Sequence, residues 1–351
     1  MNNAVNSKRV FCVQPHRPIG FGEALGKRGD IRLDMLEQKS PDAAGLEILG
    51  AAHAYQMSSA RDELARHYHA GAELLSRAPN LLIVSTNGAG YDTVDMKACT
   101  ERGVLVVNQS GGNAEAVAEH VIGMMLCLIK RVGDSDRALR AGAIKNRADY
   151  IGREAFGRTI GIVGLGNVGR RVAELAGTLF KMKVLAYDPY LPADVLRVRG
   201  AEKVELDELL RRADFVSINC PLTPETRGLM GAREFALMRP DAYFITTARG
   251  FIHDENALLD ALRRRRIAGA GLDVWSKEPP PPEHPLLQFD NVLASPHTAG
   301  VTKEARENMG RLAAEQLLDA FDGKRPARII NPEVWPRYSA RFRETFGVTP
   351  K

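Results

Sequence analysis

The chain has 351 residues, 44% hydrophobic and 26% charged, with a net charge of +5. This balance excludes a disordered or fibrous chain, and the length exceeds what one core usually serves, giving about two domains. The longest apolar run, Val121 to Ile129, is nine residues closed by Lys130 and Arg131, about half of a bilayer span, so no membrane partner is expected.

Four cysteines, Cys12, Cys99, Cys127 and Cys220, are scattered without a C-x-x-C pair, and the N-terminus MNNAVNSKRV lacks an apolar signal-peptide core. A reducing, cytoplasmic location and no metal site are the expectations. Arg263 to Arg266 form a basic run without interleaved aromatics. It reads as the solvated C-terminal end of a helix, where cations suit the dipole, and no nucleic-acid partner is expected.

In chain order, Lys8 to Val107 alternates β-rich runs with amphipathic segments; Arg9–Val13, Leu81–Ser85 and Val104–Val107 read as strands. This βαβ pattern needs a parallel sheet of its own and predicts a first, flavodoxin-like domain. Asn113 to Arg131 then reads as a helix capped by Asn113, with Ala116, Val117, His120, Val121 and Met124 on a broad apolar face. Such a helix is expected to bridge the domains or to form a subunit contact.

Thr159 to Phe180, TIGIVGLGNVGRRVAELAGTLF, carries the strongest signal. A short apolar run breaks into Gly164, Gly166 and Gly169, with Asn167 and Val168 between, and resumes with Val172, Leu175, Ala176 and Leu179 at helical spacing. Strand, tight turn and helix in this order bind pyrophosphate at the helix N-terminus. Asp188 ends the next strand-like run, Lys183–Tyr187, nineteen residues after Gly169, where a carboxylate can accept both hydroxyls of an adenosine ribose.

Further strand-like runs at Asp214–Ile218, Ala242–Thr246, Ala268–Val274 and Asn291–Ala294 bring the count to six, that of a full dinucleotide fold. Lys303 to Phe321 reads as a long helix returning to the first domain. The last twenty residues carry Trp335, Tyr338, Phe342 and Phe346, and are expected to dock on the body or on a partner subunit.

Ligands of an open parallel sheet bind at the carboxyl ends of its strands. There the sequence places Thr246, Thr247, Ala248 and Arg249 after one strand, Asp273 and Glu278 after the next, and Ser295 and His297 after the last. A histidine can move a proton, a carboxylate beside it can orient the ring, and an arginine can hold a carboxylate substrate.

With these residues in view, the chain resembles the D-isomer-specific 2-hydroxyacid dehydrogenases, the phosphoglycerate dehydrogenase-like family, from about Lys8 to Pro332. The segments that carry the likeness are STNGAGYDTVD (85–95), GGNAEAVAEH (111–120), GLGNVGRRVA (164–173), NCPLTPETRGL (219–229), TTARG (246–250), GLDVWSKEP (271–279) and SPHTAG (295–300). The resemblance implies an α/β, two-domain architecture: a Rossmann NAD-binding domain over residues 109–301 and a flavodoxin-like substrate domain over 1–108 and 302–351.

It implies NAD-dependent interconversion of a small D-2-hydroxy acid and its 2-keto acid, with His297 as acid/base, Glu278 paired to it and Arg249 on the substrate. By the same likeness the turn Asn87, Gly88, Ala89 and Gly90 offers backbone amides to the substrate carboxylate, Thr247, Ala248, Cys220 and Pro221 lie along the cofactor with His297, Asp273 lies near the nicotinamide amide, and the chain forms a homodimer.

Departures are Asn219, where many relatives carry histidine, and Ser110, where many carry proline. Ala54 to Ser58, AYQMS, lacks the arginine that phosphoglycerate enzymes use for phosphate, so Tyr55 and Met57 are expected to favour an apolar group. A competing reading is an NAD(H)-sensing binding protein of the corepressor type, although the long tail of those proteins is absent. A third reading is formate oxidation on the same fold, but relatives of that kind carry glutamine where Glu278 stands.

Overall fold

A computed structural model describes residues 7–351; the first six residues, on which part of the signal-peptide reading rests, lie outside it. The chain divides into two compact units, one taking in the chain up to Asn113 and from Lys303 on, the other Ala114–Thr302. No helix of the described residues is long and apolar enough to cross a membrane.

The first unit is built on five parallel strands: β1 (Lys8–Val13), β2 (Ile31–Leu36), β3 (Ala54–Met57), β4 (Ile83–Thr86) and β5 (Leu105–Asn108), in the order β2-β1-β3-β4-β5. That is the doubly wound order of flavodoxin-like sheets. Side chains alternate between two cores, Phe11, Tyr55, Val84 and Val106 on one face and Val10, Cys12, Ile83 and Leu105 on the other. Burial on both faces is why these strands read as continuous apolar runs.

The expectation for the AYQMS segment is corrected by this sheet. Ala54–Met57 is a strand, Tyr55 and Met57 are fully buried in its core, and Tyr55 stacks on Phe11 at 4.0 Å while its hydroxyl donates to the Tyr68 carbonyl. Period-two alternation turns Gln56 to the opposite face instead.

The Lys303–Phe321 helix packs on this unit through Ala313, Leu317, Ala320 and Phe321. The terminal aromatics form a helix of their own, Trp335–Phe346, on the same core. Tyr338 and Phe342 are buried there, and the Arg341 guanidinium donates to the carbonyls of Pro79, Leu81 and Arg102. Asn331 joins the segment to β5 by accepting from the Val106 amide and donating to the Val104 carbonyl. The tail therefore docks on its own chain.

The second unit holds seven parallel strands: β6 (Thr159–Val163), β7 (Lys183–Tyr187), β8 (Glu202–Lys203), β9 (Phe215–Ile218), β10 (Tyr243–Thr246), β11 (Gly269–Leu272) and β12 (Val292–Ala294). Their order, β12-β11-β10-β9-β6-β7-β8, is the Rossmann pattern with its reversal between β6 and β9. The strand beyond the expected six is β8, only two residues long, too short to leave a periodic signal.

The helix expected between the domains spans Ala114–Ile129 and belongs to this unit. Val121, Met124, Met125 and Leu128 are buried in its core beside Ile160, Ile162 and Ile245. The breadth of its apolar face thus comes from being covered by its own unit, and Met124 is not a surface residue.

Candidate active site

The sheet register of the second unit carries the residues of interest to one edge. The Gly164 amide donates to the Tyr187 carbonyl, the Asn219 amide to Val163, the Asp273 amide to Thr246 and the Ser295 amide to Leu272. Each strand thus hands its successor residue to the same carboxyl edge of the sheet, the edge at which such sheets bind ligands.

The glycine turn is shaped for close approach. Gly164 sits at φ 89, and a Cβ there would lie 2.8 Å from the Cys220 backbone. At Gly169 it would lie 2.2 Å from the Gly164 carbonyl oxygen, whereas around Gly166 nothing stands within 4 Å. The turn is therefore filled from inside and open outside, at the start of the Asn167–Phe180 helix.

Asp188, almost wholly buried, accepts from the Leu165 amide at 3.0 Å and the Tyr190 amide at 3.1 Å. A carboxylate has about four acceptor positions, so two remain for ribose hydroxyls. Asn219 Oδ1 and Thr246 Oγ1, both buried at this edge, have no partner within the protein. Open backbone, spare carboxylate capacity and orphaned polar atoms fit a bound dinucleotide at this edge. The sequence singles out Thr246 by its strand-end position; Asn219, after β9, is passed over as a binding group, and the same positional signal could have raised it.

Arg249, Glu278 and His297 come together at the same edge. His297 Nδ1 lies 2.8 Å from Glu278 Oε2, and the other Glu278 oxygen accepts from the Trp275 amide at 3.0 Å. This leaves His297 Nε2 as the nitrogen for a substrate.

Burial works to lower the His297 pKa, but the hydrogen bond and charge of Glu278 outweigh it, and the net shift is upward. For Glu278, burial pushes the carboxyl up, but the bond and charge of His297, the Trp275 amide and the Arg249 charge together outweigh it, leaving it below the ordinary value. The Arg249 guanidinium is close enough to act on both charges, and it is steadied by donating to the Ala248 carbonyl at 2.7 Å.

Two backbone features force this convergence. A Cβ at Gly250 would lie 2.1 Å from the Trp275 carbonyl, so only glycine lets the arginine loop run against the loop that carries Glu278. His297 itself sits at φ 55, a left-handed conformation costing a non-glycine residue about 1–2 kcal/mol. Asp273 holds it there: its carbonyl accepts the His297 amide at 2.7 Å, and its carboxylate accepts the amides of Thr298 and Ala299. With the Ser295 hydroxyl as a third donor, the wholly buried Asp273 carboxylate ties this loop down.

The neighbouring His253 has no part in this. It is buried against Phe244 with neither ring nitrogen partnered, and burial pushes its pKa down to about 4, which keeps it neutral.

In the first unit, Asn87 and Gly88 follow β4, but their amides are engaged. Asn87 donates to the Met57 carbonyl at 2.9 Å and Gly88 to Gln109 Oε1 at 3.1 Å. The expectation that the whole turn offers free amides to a substrate narrows to Ala89 and Gly90.

Residues 122–299 match the family model for the D-isomer specific 2-hydroxyacid dehydrogenase NAD binding domain. The glyoxylate reductase of Thermofilum pendens is 41% identical over 267 residues, covering 75% of this chain and 78% of that protein. The D-3-phosphoglycerate dehydrogenase of Archaeoglobus fulgidus is 39% identical over 266 residues, 76% of this chain but only 50% of that protein, so the chain spans about half of that longer relative. A D-lactate dehydrogenase from Aquifex aeolicus, solved with NAD and lactic acid, superposes with a TM-score of 0.78 at 27% identity, over 92% of this chain and 99% of that one. The chain belongs to the D-isomer specific 2-hydroxyacid dehydrogenase family, and its second unit is the family's NAD-binding domain.

Proposed function

We propose that the chain is an NAD-dependent dehydrogenase that interconverts a small D-2-hydroxy acid and its 2-keto acid. The observation that carries this is the 2.8 Å Glu278–His297 pair beside Arg249, at the edge of a dinucleotide fold. The bound nicotinamide supplies or accepts the hydride. His297 gives its Nε2 proton to the carbonyl oxygen in reduction and takes it back in oxidation. Glu278 keeps the imidazolium stable, and Arg249 clamps the substrate's carboxylate and carbonyl.

The dinucleotide is held, in this reading, by Gly164, Gly166, Asn167, Val168 and Gly169 at the pyrophosphate and by Asp188 at the ribose. Cys220, Pro221, Thr247, Ala248, Asp273 and His297 line the rest of its path. Asn87, Gly88 and Ala89 are proposed substrate contacts on the family likeness, with the Ala89 amide the available donor. The first unit takes the role of substrate domain and the second that of NAD-binding domain, close to boundaries at 108 and 301. A cytoplasmic location follows the four unpaired cysteines; cell fractionation checks it.

Substrate character follows from what the first unit's sheet edge offers. With Tyr55 and Met57 in the core and Gln56 and Ser58 buried as well, the loop after β4 presents the half-buried, polar Asn87, and Arg61 is tied to the Asp92 carbonyl at 3.1 Å. A strong second anion needs a fixed cation, and an aromatic group needs an apolar wall. Assays of NADH oxidation with glyoxylate, hydroxypyruvate, phenylpyruvate and 3-phosphohydroxypyruvate should show the first two preferred. No turnover with any of them would sink the assignment, and a preference for the phosphorylated acid would overturn the substrate reading.

A homodimer is proposed as well, with its contact moved off the Ala114–Ile129 helix. Val132, Leu139, Ile151 and Phe156 are large, apolar and exposed within one stretch of the chain, and a second copy is the occupant such self-complementary contacts take. Sedimentation should give a dimer at micromolar concentration that Phe156→Asp weakens, and a wild-type monomer would refute it.

A further inference from the structure

His120 lies on the Ala114–Ile129 helix, far in sequence from the reacting groups, yet its Nε2 stands 3.0 Å from the Ser295 hydroxyl and 3.8 Å from Asp273 Oδ1. Ser295 Oγ is in turn 2.6 Å from Asp273 Oδ1. The Asp273 side chain is wholly buried and receives three donors: this hydroxyl and the amides of Thr298 at 2.8 Å and Ala299 at 3.0 Å. With three donors turned on it, the carboxylate acts here as acceptor only.

Donor arithmetic then fixes the direction of the chain of bonds. A serine hydroxyl has one proton, and here it goes to Asp273, so the serine oxygen must accept from His120. His120 therefore carries its proton on Nε2, and the order is His120 to Ser295 to Asp273. Removing the imidazole frees the hydroxyl to rotate toward water and leaves the buried carboxylate one donor short.

That carboxylate is the clamp on the His297 loop. We infer that His120 is a positioning residue for His297, acting through Ser295 and Asp273. The inference rests on the proposed acid/base role of His297, but its geometry can be read without turnover. A half-buried helix histidine with no such role would contribute only local packing, and a change there would leave the His297 ring where it is.

The test uses the full-length protein with 15N-labelled histidines. The His297 Nδ1 proton bonded to Glu278 should give a solvent-protected ring signal, assigned by its loss in Glu278→Gln. In His120→Ala it should exchange faster or broaden, and in His120→Gln, whose amide can reach the same serine oxygen, it should return. With a substrate from the 2-keto acid panel, kcat should fall about 10- to 100-fold in His120→Ala at unchanged KM for NADH, the scale expected when a reacting group is slightly misplaced. The glutamine variant should recover most of it.

Ser295→Ala, a smaller change to the fold, should match His120→Ala, and the double variant should add little to either. An unaltered His297 signal in both His120→Ala and Ser295→Ala overturns the inference, as does a glutamine variant no better than alanine. Ring-signal changes as described in a protein that reduces no 2-keto acid would refute the proposed reaction and uphold the positioning.

Discussion

Replacing His297 by alanine should lower kcat by about 10²–10⁴ in both directions, the usual worth of a general acid/base, with little change in NADH affinity. The wild type should show opposite pH limbs. The Glu278 bond and charge raise the His297 pKa against the opposing effect of burial, so the ring keeps its proton to higher pH than a free imidazole, which is half deprotonated at about pH 6.5. Reduction needs the imidazolium and should fall as pH rises through the raised pKa, whereas oxidation needs the neutral ring and should rise over the same range.

Glu278→Gln removes the charge that holds the pKa up. Burial and Arg249 then act unopposed by it, and the reduction limb should move to lower pH. Near-normal turnover in His297→Ala, or a limb that stays in place in Glu278→Gln, would remove these residues from their roles.

Cofactor binding should respond as strongly to a single methyl group. Gly164→Ala places a Cβ 2.8 Å from the Cys220 backbone at φ 89, and backbone cannot swing aside as a side chain can. The turn must open, the amides that face the phosphates lose their alignment, and NADH affinity should fall at least about tenfold, a loss of about 1.4 kcal/mol or more. Fluorescence titration of NADH measures it directly.

Asp188→Ala tests the other end of the dinucleotide. The wild type should favour NADH over NADPH, because a buried carboxylate with two spare acceptor positions suits ribose hydroxyls and repels a 2′-phosphate. The variant should lose most of that discrimination. Equal use of the two cofactors by the wild type, or an unchanged ratio in Asp188→Ala, would contradict the ribose contact.

The dinucleotide fold, and the three residues proposed to react, could be read from the sequence alone. Glycines at fixed spacing between an apolar run and a helical one have few alternative conformations, and residues that follow parallel strands must share an edge. Arg249, Glu278 and His297 were legible for that reason, since strand order and register bring them together without any long-range packing detail. Phe342 and its neighbours likewise announced a docked tail by their aromatic content, though not its place.

Which face a side chain takes, and which donors are already spent, became readable in the folded chain alone. Tyr55 and Met57 looked like substrate contacts because the four residues Ala54–Met57 are too few to display alternation, and as a strand they bury both side chains. The Asn87 and Gly88 amides looked available until Met57 and Gln109 were seen to hold them. Met124 looked like an interface residue until its own unit covered it. The link from His120 through Ser295 to Asp273 joins a helix to two strand ends distant in sequence. No local pattern encodes such a contact, because hydrogen-bond partners far apart along the chain are chosen by packing alone.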